Sequence, residues 1–310
     1  MKTIKGIIHP MITPLKADDQ IDREGTVRLT EHILAGGVHA LFLLGTTGEA
    51  QSLSYECRYD FVELVCRQVA GRVPVLVGVT DTSLDESVKL AAHAAKCGAV
   101  AVVAAAPYYF APSQQELIEY YTALADALPL PLFLYNMPSH VKVFLEPATV
   151  KTLAEHPNIV GLNDSIYVVL SMAIMTRIGQ KVLDFLGDRE DFALYVGPEE
   201  LTGESVVMGA DGGVNGGANI FPELYVQMYY AACNRDVNTM RALQRKIMQI
   251  STSLYTVGKY GSSYLKGVKC SLSLMGICDD YMSYPYRRFR TEERARIRKA
   301  LEALGTACGE

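Results

Sequence analysis

Hydroxyl, phenol and imidazole side chains follow several short apolar runs of this sequence, and these positions are where we look for chemistry. Thr46 and Thr47 lie between glycines in Gly45-Thr46-Thr47-Gly48-Glu49. Their hydroxyls and backbone amides can bind a carboxylate, although a plain tight turn has the same composition. Tyr135 ends a later apolar run and can act as an acid or base, or as an aromatic plug. His140, just beyond it, is by itself typical of a surface loop.

Eight short apolar runs, alternating with amphipathic stretches, must position these side chains. The runs are Gly6 to Ile12, Ala40 to Leu44, Val73 to Val79, Val100 to Ala106, Leu130 to Tyr135, Ile159 to Leu162, Phe192 to Val196 and Gly212 to Val214. Helix signals lie between them, such as the cap Asp22 and the capping box Ser83-Leu84-Asp85-Glu86. Strands alternating with helices indicate a parallel sheet covered by helices.

The number of runs favours a (β/α)8 TIM barrel, an α/β fold, over a doubly wound sheet. A doubly wound fold would show a Gly-x-Gly-x-x-Gly turn after the first strand, which here ends Met11-Ile12-Thr13-Pro14. Beyond Pro222 the sequence predicts helices alone. We therefore expect a barrel over residues 1–222 and a C-terminal helical extension over residues 223–310, with the chemistry at the carboxyl ends of the strands.

Composition and charge exclude several classes of protein. The chain has 310 residues, 49% of them apolar, and a net charge of -5 without a block of like charges, which argues against a nucleic-acid partner. We expect neither a signal peptide nor a membrane-spanning helix. Seven cysteines without a Cys-x-x-Cys pair indicate a reduced, cytoplasmic protein. No His/Asp/Glu cluster follows the strands, so we expect no metal and no organic cofactor.

Four motifs fall at successive predicted strand ends and are informative together. They are Gly45-Thr46-Thr47-Gly48-Glu49, Pro107-Tyr108-Tyr109, Tyr135-Asn136-x-Pro138 and Gly161-Leu162-x-Asp164-Ser165. The set resembles the dihydrodipicolinate synthase / N-acetylneuraminate lyase family of pyruvate-dependent class I aldolases. The resemblance runs from the first strand through Gly212 to Glu223.

The resemblance implies roles for individual residues. Thr46 and Thr47 would bind the carboxylate of a 2-oxo acid, with Thr47 also passing protons, and Tyr135 would be the proton shuttle to the substrate oxygen. Tyr109 would come from a neighbouring subunit of a homotetramer built as a dimer of dimers. Two further residues, Gly197 and Val214, would line the pocket through their backbones.

One departure from the family's sequence pattern concerns the residue that forms the imine. The family's lysine on the sixth strand forms an imine with pyruvate, and Asn163 stands at its position. A carboxamide is not nucleophilic and cannot form that imine. Lys142 and Lys151 are expected in solvent and Lys181 in a loop, so none obviously replaces the missing amine.

Three explanations for Asn163 remain open. The chain could be an engineered knock-out, a natural member that keeps a 2-oxo-acid pocket without the chemistry, or a natural enzyme that works without an imine. In the last case Asn163 would hydrogen-bond a carbonyl while Tyr135 moves protons, although Asn163 could equally be a neutral filler. Rescue by a class II metal is the least attractive route, since no metal-ligand cluster is present.

The second departure concerns the substrate. His140 stands where the dihydrodipicolinate synthases have an arginine that binds the second substrate's carboxylate, and histidine lacks the bidentate guanidinium. Lysine biosynthesis is therefore doubtful, and a sugar-acid-type or other 2-oxo acid suits the site at least as well. We predict a lyase or aldolase-type protein for such an acid with the imine route compromised or absent. The alternative is a catalytically silent 2-oxo-acid binding or regulatory protein.

Overall fold

The computed structural model describes residues 4–165, 189–306 and 308, and it contains a closed barrel of eight parallel strands. The barrel strands are β1 (Gly6–Pro10), β4 (Ala40–Leu43), β5 (Val75–Gly78), β6 (Ala101–Ala105), β7 (Leu132–Asn136), β8 (Ile159–Asp164), β9 (Ala193–Val196) and β10 (Gly212–Val214). A short antiparallel ribbon pairs β2 (Leu15–Ala17) with β3 (Gln20–Ile21). Pairing of β1 with both β4 and β10 closes the barrel, which confirms the predicted (β/α)8 fold.

Helices follow the barrel strands and continue to the end of the described chain. They are α1 (Arg23–Ala35), α2 (Tyr55–Val69), α3 (Leu84–Lys96), α4 (Gln114–Ala127), α5 (Pro138–Val141), α6 (Pro147–Leu153), α7 (Thr202–Val207), α8 (Pro222–Cys233), α9 (Val237–Leu254), α10 (Ser263–Leu274) and α11 (Thr291–Ala303). The helices expected beyond Pro222 are therefore present. The division into a barrel over 1–222 and an extension over 223–310 stays a prediction.

Local sequence signals explain where most helices and strands begin. The Asp22 carboxylate caps α1 by accepting from the Gly25 amide at 2.9 Å. Ser83 caps α3 in the same way, but the predicted capping box is only half formed, because the Ser83 amide donates to the Asp81 carboxylate at 3.0 Å instead of to Glu86. The strands predicted from Val73 and Leu130 begin two residues later, since Pro74 and Pro131 have no N–H to donate to the sheet.

The barrel interior is filled by side chains that alternate along the strands. Its lining consists of Ile8, Ala40, Phe42, Leu76, Ala101, Val103, Phe133, Ala193, Tyr195 and Val214, all buried. A second core lies between the strands and the surrounding helices. No helix in the described part of the chain is long and apolar enough to cross a membrane. Because the interior is packed, the place for a small molecule within the barrel is at the strand ends, where polar side chains replace this lining.

Candidate active site

A row of hydrogen-bonded polar side chains crosses the carboxyl-terminal mouth of the barrel. The hydroxyl of Thr46, just after β4, lies 3.2 Å from that of Tyr135 on β7. The Tyr135 hydroxyl also bonds Ser165, and Ser165 Oγ donates to Asn163 Oδ1 at 3.5 Å. The strand register explains this grouping, since Asn163 is the direct partner of both Tyr135 and Tyr195 across the sheet. Strand partners in a parallel sheet share a face, so Asn163 points into the barrel beside Tyr135.

Burial further favours the protonated form of the Tyr135 phenol. Desolvation raises the pKa of Tyr135, and its hydrogen bonds with Thr46 and Ser165 offset only part of that rise. At neutral pH Tyr135 is therefore a proton donor whose hydroxyl already has two partners. Its ring packs edge-on against Phe42 with centroids 6.2 Å apart, which fixes the direction of the hydroxyl.

Asn163 is buried, with 4% of its surface exposed. Its carbonyl oxygen accepts from Ser165, whereas its amide nitrogen makes no hydrogen bond to any residue of 4–165 or 189–306. Within that part of the chain, the two N–H donors are therefore available to a bound molecule. The carboxamide can donate to a carbonyl oxygen but offers no nucleophilic amine.

A buried ion pair supports the loop that carries Thr46 and Thr47. Glu49 ends the motif with a positive φ of 56° and pairs with Lys269 of α10. The Glu49 carboxylate also accepts from the amide and the hydroxyl of Ser283, at 3.0 and 2.7 Å. Lys269 in turn donates to the Tyr281 carbonyl at 2.8 Å. The helical extension thus fixes the loop that carries the two threonines.

The two threonines have different partners. The Thr47 hydroxyl lies 3.3 Å from that of Tyr264, at the start of α10, whereas only Thr46 reaches Tyr135. Tyr264 fits because Gly216, after β10, has no side chain, and a Cβ there would lie 1.6 Å from the Tyr264 hydroxyl. Within one chain it is therefore Thr46, rather than Thr47, that contacts the hydroxyl of Tyr135.

Gly197 lies beside this row of polar groups, whereas Val214 lies in the barrel lining; that either of them lines a ligand pocket through its backbone stays a prediction. The Gly197 amide donates to the Asp164 carbonyl at 2.8 Å, and a Cβ at Gly197 would lie 1.8 Å from Ser165 Oγ. Gly197 therefore leaves the room that Ser165 occupies between Tyr135 and Asn163. Val214 is 8% exposed and belongs to the barrel lining.

Tyr109 and His140 lie apart from the polar row within a single chain. Tyr109 is 72% exposed, its carbonyl accepts from Lys142 at 2.9 Å, and the Lys142 ammonium lies 5.8 Å from its ring. His140 is exposed on α5 and its imidazole contacts the neighbouring Ser139 at 2.9 Å. A contribution of Tyr109 to a second subunit's site stays a prediction, as does a substrate contact of His140.

The described part of the chain places no free amine beside Tyr135. Lys142 and Lys151 are exposed, and Lys181 lies outside the described residues. Lys269, which the sequence reading overlooked, is the one buried lysine among the described residues, and its ammonium is bound to Glu49 and Tyr281. No group of three His, Cys, Asp or Glu side chains in the same part of the chain could hold a metal ion.

The ordered strand-end motifs and the barrel match a family of known proteins. The family model of the dihydrodipicolinate synthetase family matches residues 3–304. The chain belongs to the dihydrodipicolinate synthetase family. Its members among curated and solved proteins include both synthases and an aldolase, which supports a lyase or aldolase-type relationship.

Three relatives illustrate the range of this family. A solved structure of dihydrodipicolinate synthase from Bacteroides thetaiotaomicron is 55% identical, with a TM-score of 0.92 over 98% of this chain and 99% of that one. YagE, a prophage protein of the same family from Escherichia coli K12 solved in complex with pyruvate, is 29% identical, with a TM-score of 0.89 over 98% and 99%. The probable 2-dehydro-3-deoxy-D-pentonate aldolase YjhH of Escherichia coli K12 is 32% identical over 98% and 99%.

Proposed function

We propose that this member of the dihydrodipicolinate synthetase family binds pyruvate or a related 2-oxo acid at the barrel mouth and that it cannot use the imine route. The observation that carries the proposal is the row Thr46–Tyr135–Ser165, which ends on the carboxamide of Asn163. In our proposal this carboxamide stands where the resemblance puts the family's lysine. Tyr135, a residue capable of acid-base chemistry, thus remains beside a carboxamide that cannot attack a ketone.

The proposed reaction is proton transfer next to a carbonyl, as in an enolising or hydrating lyase. Thr46 and Thr47 would bind the carboxylate, and the free N–H donors of Asn163 would hydrogen-bond the ketone oxygen. Tyr135 would donate a proton to that oxygen while a solvent water takes the proton from the adjacent carbon, and the enol would return its proton to Tyr135 when that carbon is reprotonated from solvent. Thr46 would be the partner of Tyr135, since its hydroxyl lies beside the phenol. Tyr135 is suited to this task because it is protonated at neutral pH and is the strand partner of Asn163.

The alternative is a silent 2-oxo-acid binding or regulatory protein, and the loss of the amine favours it. In both cases a sugar-acid-type ligand fits the proposal, because His140 stands in place of the arginine that the synthases use and one relative is named as a pentonate aldolase. We also propose a homotetramer in which Tyr109, exposed within one chain, completes a neighbouring subunit's site.

Exchange of the pyruvate methyl protons with deuterated water, followed by NMR, separates the two functions. The native chain should catalyse exchange, and Tyr135→Phe should abolish it while the protein stays folded. Tyr195→Phe is the matched control, because Tyr195 also lines the barrel but directs its hydroxyl to the Ile4 carbonyl. Pyruvate binding without exchange would favour the silent protein. Neither binding nor exchange, with pyruvate and with a 2-oxo-3-deoxy sugar acid, would overturn the proposal.

A further inference from the structure

A buried carboxylate lies behind the barrel mouth, outside the row of groups described above. Glu199 follows β9 and is 6% exposed. One carboxylate oxygen accepts from the hydroxyls of Tyr225 and Tyr255, at 2.7 and 2.8 Å. The other accepts from the Gly217 amide at 2.7 Å. Glu199 therefore connects α8, the end of α9 and the turn after β10.

The tyrosines around Glu199 fit because two glycines leave room for them. A Cβ at Gly217 would lie 2.0 Å from the Tyr225 hydroxyl and 2.6 Å from that of Tyr255. Gly216 leaves the corresponding space for the Tyr264 hydroxyl. Consecutive glycines thus accommodate three phenols, and the position of each phenol is defined by its hydrogen bond.

One of these tyrosines connects Glu199 to the threonine loop. The ring of Tyr255 meets that of Tyr264 edge-to-face, with centroids 4.8 Å apart, and the Tyr264 hydroxyl lies 3.3 Å from that of Thr47. Tyr225 bonds the same oxygen of Glu199, but its ring makes no such pair with Tyr264 among the described residues. Tyr225 also bonds the Tyr255 side chain, so among the described residues Tyr255 is the one of the two whose ring contacts Tyr264 directly.

The carboxylate is held by hydrogen bonds rather than by a cation. Burial, together with the neighbouring Glu200, raises the pKa of Glu199 to about 7, and the hydrogen bonds from Gly217, Tyr225 and Tyr255 oppose that rise. Glu200 itself accepts from the Ser251 hydroxyl at 2.6 Å. Among the described residues Glu199 is thus fixed by three hydrogen bonds and has no ion pair.

We propose that Glu199 is a positioning residue, which acts through Tyr255 to hold Tyr264 against Thr47 and thereby fixes the Thr47 hydroxyl for a bound carboxylate. The inference rests on the proposed function, since it takes Thr47 to be part of the 2-oxo-acid pocket. It assigns a role in ligand binding to the helical extension, which supplies Tyr264 and part of the cage around Glu199.

The test compares pyruvate affinity, measured by isothermal titration calorimetry, for the native chain and three single variants. Tyr264→Phe and Tyr255→Phe should each weaken binding by about two- to tenfold, the effect of one lost hydrogen bond. Tyr225→Phe is the matched control: it removes an equivalent hydroxyl from the same oxygen of Glu199, together with its bond to Tyr255. Because Tyr255 keeps its own bond to Glu199 and its ring contact with Tyr264, this variant should change the affinity less than about twofold. Thermal unfolding of each variant verifies that it is folded.

The outcomes separate this inference from the proposed function. The positioning role would be supported if Tyr255→Phe and Tyr264→Phe bind pyruvate more weakly than the native chain does. It also requires that Tyr225→Phe bind pyruvate as the native chain does. Equal effects of Tyr225→Phe and Tyr255→Phe would overturn it, because a merely structural contribution does not distinguish the two hydroxyls. If Thr47→Val weakens binding and neither Tyr255→Phe nor Tyr264→Phe does, only this inference fails. If the native chain does not bind pyruvate, the proposed function fails and the inference with it.

Discussion

Replacing Lys269 by methionine should destabilise the protein strongly, because it removes one half of a buried ion pair. The side chain of Lys269 is 0% exposed and that of Glu49 is 1% exposed. Methionine keeps an unbranched apolar stem of similar length, so the change isolates the ammonium group. The Glu49 carboxylate would keep the two donors of Ser283, whereas the Tyr281 carbonyl would lose its donor. Removing one partner of such a pair costs about 3–5 kcal/mol.

Urea unfolding at equilibrium measures this change, and a double variant provides the control. Glu49→Gln with Lys269→Met leaves no buried charge, so we expect it to lose less stability than Lys269→Met alone. Lys89→Met serves as a surface control, because the ammonium that pairs with Glu86 is 63% exposed, and it should change the free energy of unfolding by less than about 1 kcal/mol. A loss below about 1 kcal/mol in Lys269→Met, or a double variant that is no more stable than Lys269→Met, would refute this reasoning.

Three further predictions concern the barrel mouth. Thr47→Val should weaken pyruvate binding by about two- to tenfold in calorimetry, and an unaltered affinity would remove Thr47 from the pocket. Gly197→Ala should displace Ser165, since the new Cβ would lie 1.8 Å from its oxygen; we expect a loss of about 1–3 kcal/mol in urea unfolding, and native stability would contradict the close contact. The pKa of Glu199 is raised to about 7 in the folded protein. Its contribution to stability is therefore present below the pKa that the group has in the unfolded chain, and it is lost as the pH rises through 7. Glu199→Gln should therefore make the free energy of unfolding rise more steeply with pH between 4.5 and 7, by up to about 1.4 kcal/mol per pH unit; parallel slopes would contradict that pKa.

The fold could be predicted from the sequence because each strand has a local signal in its own residues. Continuous apolar runs such as Val100 to Ala106 have the length of buried strands, and the structure contains a strand at each of the eight predicted places. The residue at which a strand ends has a weaker local signal. Sheet pairing extended β8 as far as Asp164, beyond its apolar part, because its last residues pair with Tyr135 and Asn136.

The support of the site could not be predicted, since it depends on contacts between distant parts of the chain. Lys269 reads as an ordinary helix lysine, although it shares an apolar face with Leu265 and Leu272, four residues before it and three after it. That spacing was the available signal of burial. Tyr264 carried no comparable signal, because its partner Thr47 is 217 residues away. Ser165 was detectable, as it follows Asn163 by two residues and so shares its face of the strand.

The central claim is that Asn163 alone blocks an imine in a pocket that otherwise binds a 2-oxo acid. Borohydride reduction in the presence of pyruvate, read by intact mass, tests it on the native chain and on Asn163→Lys side by side. We expect an adduct on Asn163→Lys and none on the native chain, because the described amine nearest the threonine loop, that of Lys269, is bound to Glu49. An adduct on the native chain would show that another lysine forms the imine, and no adduct on either would show that position 163 does not face a competent pocket.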